Sequence, residues 1–428
     1  MREKITLVAF VLALSFAANA AKAAGPASEA GTIARDSDIL FQLPETGQPI
    51  NDGQFGFVTT FRQHLVAIAA RCELSLPQQL LVPSGKFDSK TAQAIIKVAA
   101  CHEVSSALPD DDAARKGAIT SALWKVVVPD APAPGLLDRV QAMTFQFEGT
   151  DYVTIEFNVG TKDLGILTWG PLGATVGQAH QVQTILREID AQFPKLIDDA
   201  FPEESVSIRT LYRTDSDADN ARLVQAVKAS PTRKAAWQRG FAALGSNLDV
   251  RKIYNAAMAE TGKSGLVEGI ADFYCSYWAH GWVPTEVDMA FFFDRAVQTA
   301  VFQPNTNQAV GAASGVLGKS RGTPSAAERR RAVAANFILT TGWAEDRLAR
   351  DVSYYVGAIP EASITEKTFV ALQLKKNLVG ADKGGEVAIW RKRSGFEASN
   401  FGLSDDRLAP PPTMMAKSRP KCIEPAHP

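Results

Sequence analysis

The chain of 428 residues carries 45 basic and 46 acidic side chains, a formal net charge of −1. This balance argues against nucleic acid as a partner, which ordinarily demands a basic excess on some domain. A hydrophobic content of 46% supports a substantial core, and the length predicts two or three domains.

Residues 1–23 read as an export signal. Arg2 and Lys4 supply the positive start, Ile5 to Phe16 is an almost unbroken apolar run, and small residues follow at Ala18-Asn19-Ala20 and Ala21-Lys22-Ala23. The run is too short to span a bilayer, so cleavage is expected, with a periplasmic or secreted destination and no stable membrane insertion. Residues 24–54, rich in Ala, Gly, Ser and Pro, are predicted to be a flexible leader. Residues 55–127 are predicted to form a small helical domain, with helices over Thr60–Ala70 and Thr91–Ala100 and with Thr91 as a cap. Cys72 and Cys101 are able to staple this region, which would leave Cys275 and Cys422 to tie down the tail. Four cysteines allow three pairings, and spacing does not choose among them.

Val128 to Gly135, with three prolines, marks a linker. The larger domain is predicted over 136–408. It opens with a helix at Leu136–Phe147, and Val153, Ile155 and Phe157 then alternate as a strand. Val182, Ile185, Leu186, Ile189, Phe193, Leu196 and Ile197 fall at helical spacings and predict one long amphipathic helix, with His180 on its polar side. Further helices are expected through Leu372, with breaks at Pro231, Pro284, Pro304 and the Gly/Ser-rich 311–323 stretch. The run Arg329-Arg330-Arg331 reads as a solvated helix start, and residues 409–428 as a Pro-rich extended tail.

The passage from Phe145 to Gly177 carries the chemistry. Glu148 stands at the end of an apolar helix, a strand follows, and Asp163 precedes Gly165, Thr168, Gly170 and Gly173. Glycosidic hydrolysis needs two carboxylates flanking the bond, one protonated to donate to the leaving oxygen and one ionised. Phe145, Phe147 and Trp169 are expected to desolvate Glu148 and favour its acid form. Asp151 and Glu156 are the rivals of Asp163 for the second carboxylate, although strand alternation turns Glu156 toward solvent.

The pattern E-x(n)-D-x-G-x-x-T-x-G resembles the signature region of the lysozyme superfamily, in particular phage-type lysozymes and bacterial chitosanases. The resemblance implies an α+β fold, mainly helical and two-lobed with a small β-hairpin or sheet, preceded by the small helical domain. It implies Glu148 as general acid, Asp163 as the residue that directs water, and Thr168 as the residue that positions it. A second stretch, Phe241 to Asp294, is similar to the helical lobe of chitosanases, where Arg251, Tyr254 and Asp294 would stand behind the catalytic pair. Trp169-Gly170-Pro171 departs from the wording of both families, and Tyr152, Trp169 and Asp151 are expected to line the substrate groove. Tyr277 and Trp278 are further aromatic candidates, though core positions suit them better.

Gly85-Lys86-Phe87-Asp88-Ser89-Lys90-Thr91-Ala92-Gln93-Ala94 resembles small peptidoglycan-binding helical modules, a pattern that an ordinary helical domain also meets. The implied partner is a β-1,4-linked amino-sugar polysaccharide, peptidoglycan before chitosan, with inversion of configuration implied by the wide Glu–Asp spacing. No cofactor is implied. The five scattered histidines and the absence of a close Cys-x-x-Cys pair offer no zinc site, and no nucleophile elbow, P-loop or dinucleotide-binding glycine cluster is present.

Overall fold

A computed structural model describes residues 38–51, 56–82, 84–148, 151–160, 165–177, 180–260, 266–298, 303–318, 323–336, 350–351, 353–354, 395–411 and 422. The expected export signal, residues 24–37 of the leader, and residues 337–349 and 355–372 of the helical stretch expected through Leu372 lie outside these residues. The described residues are mainly helical with three small antiparallel sheets, an α+β composition.

The N-terminal layer contains β1 (Ile39–Phe41), β2 (Ile50–Asn51), α1 (Phe57–Arg71), β3 (Lys86–Phe87), α2 (Ser89–Ala100), α3 (His102–Ser105), β4 (Ile119–Thr120) and α4 (Ser121–Val127). β1 pairs with β4 and β2 with β3, so residues 38–51 belong to folded structure where a leader was expected. α1 buries Val58, Phe61, Leu65 and Ile68 at three- and four-residue steps, one apolar stripe facing the core. Asp88, not Thr91, caps α2: its carboxylate accepts from the Thr91 N–H at 2.9 Å and from the Thr91 hydroxyl at 2.9 Å. Thr91 lies one turn inside the helix, fully buried. The Cys72–Cys101 pair joins the C-terminal ends of α1 and α2, and Cys275 pairs with Cys422.

The connection over 128–135 is docked, because the Trp124 indole N–H donates to Ala131 O at 3.0 Å. Beyond it run α5 (Leu136–Glu148), β5 (Ile155–Phe157), β6 (Leu167–Trp169), β7 (Ala174–Thr175), α6 (Gln181–Gln192), α7 (Pro194–Ala200), α8 (Ser205–Arg213), α9 (Asp217–Ala229), α10 (Pro231–Ser246), α11 (Leu248–Glu260), α12 (Leu266–Ala279), α13 (Glu286–Gln298), α14 (Gln303–Leu317) and α15 (Ala326–Asn336). The long helix expected after Gly177 is two helices. Phe193 leaves helical geometry (φ −140°, ψ 63°) and Pro194 opens α7, as the clash between a proline ring and the residue before it requires. His180 sits before α6 at its N-cap with φ +53°. The stretch 311–317, expected as a break, continues α14.

The parts on either side of the connection share hydrogen bonds. Asn51 and the Gln146 side chain of α5 bond reciprocally at 2.8 and 2.7 Å. The segment 395–411 returns to β1, where Gln42 N–H donates to Asn400 O and Phe41 meets Phe401 edge-on. Arg139 of α5 donates to the carbonyls of Phe401 and Gly402. The first residues of the expected tail are pinned to α12, since the Tyr274 hydroxyl bonds Ala409 O and Pro410 O at 3.3 Å each.

α13 gathers buried carboxylates, each met by a guanidinium from elsewhere. Glu286 pairs with Arg139 and Arg407, Asp288 with Arg330, and Asp294 with Arg350. The expectation of a solvated arginine run is therefore corrected: Arg330 and Arg331 are fully buried, and Arg330 also binds Asp405 and Tyr354 O. Charges removed from water are tolerated only with such partners.

Candidate functional site

α5 carries Glu148 as its last residue, with the side chain 24% exposed. Arg350 holds it: Nη1 lies 2.6 Å from Glu148 Oε1 and 3.4 Å from Asp294 Oδ1 of α13. Nη2 of the same guanidinium donates to Phe147 O at 3.4 Å, which places a cation on the negative C-terminal end of α5. Its carbon lies 5.6 Å from the Phe147 ring centroid. Asp294 is fully buried, behind the arginine. Glu148, Arg350 and Asp294 thus form one chain of alternating charge. The apolar rings expected around Glu148 are engaged elsewhere: Phe145 packs on Tyr152, Phe147 on Tyr354 and Phe396, and Trp169 on Phe241 and Tyr254.

After Glu148 the chain builds the sheet β5–β6–β7, with Glu156 opposite Thr168 and Thr168 opposite Thr175. Alternation sends Ile155, Leu167 and Trp169 into the core and leaves Glu156 exposed and Thr168 half-buried on the other face. The Asn158 amide donates to Thr168 Oγ1 at 2.8 Å. Asp163 falls in 161–164, outside the described residues, so the expected pairing with Glu148 has no distance attached to it. The chain enters β6 from Gly165 through an unusual turn. Ile166 has φ +57°, and Leu167 N–H donates to Gly165 O at 2.6 Å. A β-branched residue in the left-handed region costs roughly 1–3 kcal/mol, a cost that tends to be retained at functional sites.

Tyr254 locks the sheet from beneath. Its hydroxyl donates to Trp169 O at 2.9 Å and accepts from the N–H groups of Leu172 at 3.1 Å and Ala174 at 3.4 Å. Gly170 (φ +76°) passes directly over the ring, where a Cβ would stand 2.7 Å from it. Burial pushes the Tyr254 hydroxyl above its ordinary value; the two N–H donors oppose this, while Tyr152 and the Glu148 carboxylate add to it.

Tyr152 and Trp169 do not form a sugar platform. Trp169 is fully buried, with its indole N–H on Tyr152 O at 2.7 Å. Tyr152 is 7% exposed, with its hydroxyl on Asn255 at 2.9 Å and the Arg251 guanidinium 4.6 Å from its ring centroid. Burial holds its hydroxyl up at about 12, against the Asn255 hydrogen bond and the Arg251 charge. Tyr277 and Trp278 are likewise core residues. Asp151 forms a turn, accepting from Val153 N–H and the Thr154 hydroxyl at 2.9 Å each. Arg251 donates to Gly245 O at 2.7 Å. The three positions expected behind the catalytic pair are thus all in contact with this region: Arg251 with Tyr152, Tyr254 with the hairpin, and Asp294 with the partner of Glu148.

Arg350 and Asn158 are the side chains that sequence reading missed. Arg350 is one of several charges between Glu345 and Asp351 and has no distinguishing neighbour in the sequence. Asn158 had a signal, since it follows Glu156 by one strand repeat. Among the described residues, no group of three or more His, Cys, Asp or Glu side chains is arranged to hold a metal ion, and no helix is long and apolar enough to cross a membrane. Comparison with protein families, with curated proteins and with solved structures gives no match to this chain.

Proposed function

We propose that the protein is an exported glycoside hydrolase that cleaves β-1,4 bonds in an amino-sugar polysaccharide, with peptidoglycan favoured over chitosan. The observation that carries this reading is the carboxylate at the end of α5, backed by Arg350 and Asp294, in a chain whose next element is a hairpin that presents Thr168 on the face away from the core. In the proposed reaction Glu148 protonates the leaving oxygen, and a carboxylate of the hairpin region, Asp163 by resemblance, takes a proton from the attacking water with Thr168 positioning that water. The lysozyme-like lobes and the wall-binding role of the N-terminal layer are part of the same proposal. Arg350 would hold Glu148 in place and screen Asp294 from it. Substrate entry must then leave one Glu148 oxygen facing the bond, either the one Arg350 does not engage or Oε1 after the arginine moves.

The engagement of Oε1 at 2.6 Å favours a second reading, a non-catalytic polysaccharide-binding or envelope protein in which the Glu148–Arg350–Asp294 chain is purely structural. Release of reducing ends from purified peptidoglycan and from chitosan separates the two. The hydrolase reading expects release from one polymer by the mature protein and none by Glu148→Gln. Retained polymer binding without release by the wild type supports the second reading.

A further inference from the structure

Ladder register and strand alternation place a polar row on the open face of the three-stranded sheet: Glu156, Thr168 and Thr175 across the strands, and Asn158 one repeat beyond Glu156. Within this row one hydrogen bond has a defined polarity. Asn158 Nδ2 donates to Thr168 Oγ1 at 2.8 Å, so the threonine oxygen accepts and its own hydrogen must be donated elsewhere. Among the described residues no group receives it. Asn158 is itself held from two sides. Its N–H and that of Val159 both donate to Ile166 O, at 2.9 and 3.0 Å, and Val159 O accepts from Lys228 Nζ of α9 at 2.7 Å. Two residues facing one carbonyl make a bulge, a device that re-aims side chains at the edge of a sheet.

We propose that Asn158 is a positioning residue, fixing the Thr168 hydroxyl as a donor to the water that attacks the glycosidic carbon. This rests on the hydrolase reading given above. In that step the water oxygen bonds to the anomeric carbon as the bond to the leaving oxygen breaks. Glu148 supplies the leaving group's proton, and the carboxylate base takes the water's proton. Thr168 transfers nothing. Its O–H occupies one lone pair of the water and leaves the other to attack, and Asn158 keeps it from turning round.

The test reverses the polarity of that hydrogen bond. Ionised aspartate in Asn158→Asp can only accept, so the Thr168 hydrogen turns to it and is lost to the water. On the polymer the wild type cleaves, kcat should fall about 10- to 100-fold at pH 7 with KM within about twofold. The deficit should narrow as the pH falls through about 4, where a protonated aspartic acid donates again. Asn158→Ala should lose kcat to a similar extent without that narrowing, and should add no further loss to Thr168→Val, because Asn158 acts only through Thr168. Thermal melting within a few degrees of the wild type establishes that each variant is folded, and the alanine cycle carries the test if the aspartate variant is not. Wild-type kcat in both Asn158 variants, with Glu148→Gln inactive, overturns this proposal and leaves the hydrolase reading standing, as do additive losses in the double variant. Absence of release by the wild type overturns the hydrolase reading, and this proposal with it.

Discussion

Gly245 tests the packing beneath the candidate site and Gly315 is its control elsewhere, because alanine should act on these two helical glycines with opposite signs. Gly245 lies near the end of α10, pressed against the loop that precedes β5. A Cβ there would stand 1.8 Å from Tyr152 O, 2.4 Å from Tyr152 C and 3.0 Å from Val153 N, all backbone atoms. Restoring ordinary contact requires a shift of roughly 1.5 Å, since carbon–oxygen contacts lie above about 3 Å. That shift moves the carbonyl that receives the Trp169 indole N–H at 2.7 Å and the backbone of the ring that Arg251 covers. Overpacking costs about 1–3 kcal/mol and loss of a buried hydrogen bond about another 1, whereas alanine gains at most about 1 in helix propensity. The net expectation for Gly245→Ala is a loss of about 1–4 kcal/mol. Gly315, near the end of α14, has nothing within 4 Å of a built Cβ, so Gly315→Ala should gain about 0.5–1 kcal/mol. At about 2.1 cal/mol/K per residue the 428-residue chain melts with an entropy of about 0.9 kcal/mol/K. Scanning calorimetry should therefore place Gly245→Ala about 1–4 °C below the wild type and Gly315→Ala up to about 1 °C above it. Gly245→Ala melting at or above the wild type would refute the close approach of α10 to Tyr152.

Glu204 gives a pH-dependent case. Hydrogen bonds from Arg233, with Trp237 and Ser207 adding, draw its carboxyl down to about 2 against the effect of burial. Its folded value lies below the unfolded one of about 4.3, so its stabilisation is complete above about pH 5 and is lost as the pH falls toward 2. Glu204→Gln should melt below the wild type at pH 7, and the gap should close by pH 2; a gap independent of pH would refute the assignment. Arg330→Met should cost about 3–5 kcal/mol in thermal or denaturant unfolding, because Asp288, fully buried and with its carboxyl raised by that burial, loses its guanidinium. Adding Asp288→Leu should recover part of that loss, and a mild effect of Arg330→Met alone would mean that the site is wetter than the structure shows. Asp88→Ala should cost about 1–2 kcal/mol by removing the α2 cap, with Asp88→Asn retaining most of the stability in the same assay.

What could be read in the sequence follows the range of the interaction responsible. The stripes of α1 and α6, the helix ending at Glu148 and the strand at Ile155–Phe157 are periodic features, and periodicity is local. The break at Phe193–Pro194 was equally local and was lost only because the apolar spacing continues across it. Asp88 and Thr91 show how capping misleads: both are capping residue types three apart, and the structure uses one as the cap and buries the other. Burial of charge was not legible, because a run of arginines looks the same whether water or carboxylates receive it. Arg330 has its carboxylate partners 42 and 75 residues away, and Arg350 reaches Glu148 over 202 residues. The aromatic residues failed for the related reason that a tryptophan in a strand is a candidate for either face until register is known. Pairing with Ile155 puts Trp169 on the core side and leaves the open face to Glu156, Asn158 and Thr168. The same pairing that removes the aromatic platform is what brings Asn158 to Thr168. A groove that recognises a sugar on this face would then do so through hydroxyl, amide and carboxylate groups, whose hydrogen-bond polarity, unlike the area of a ring, one substitution can reverse.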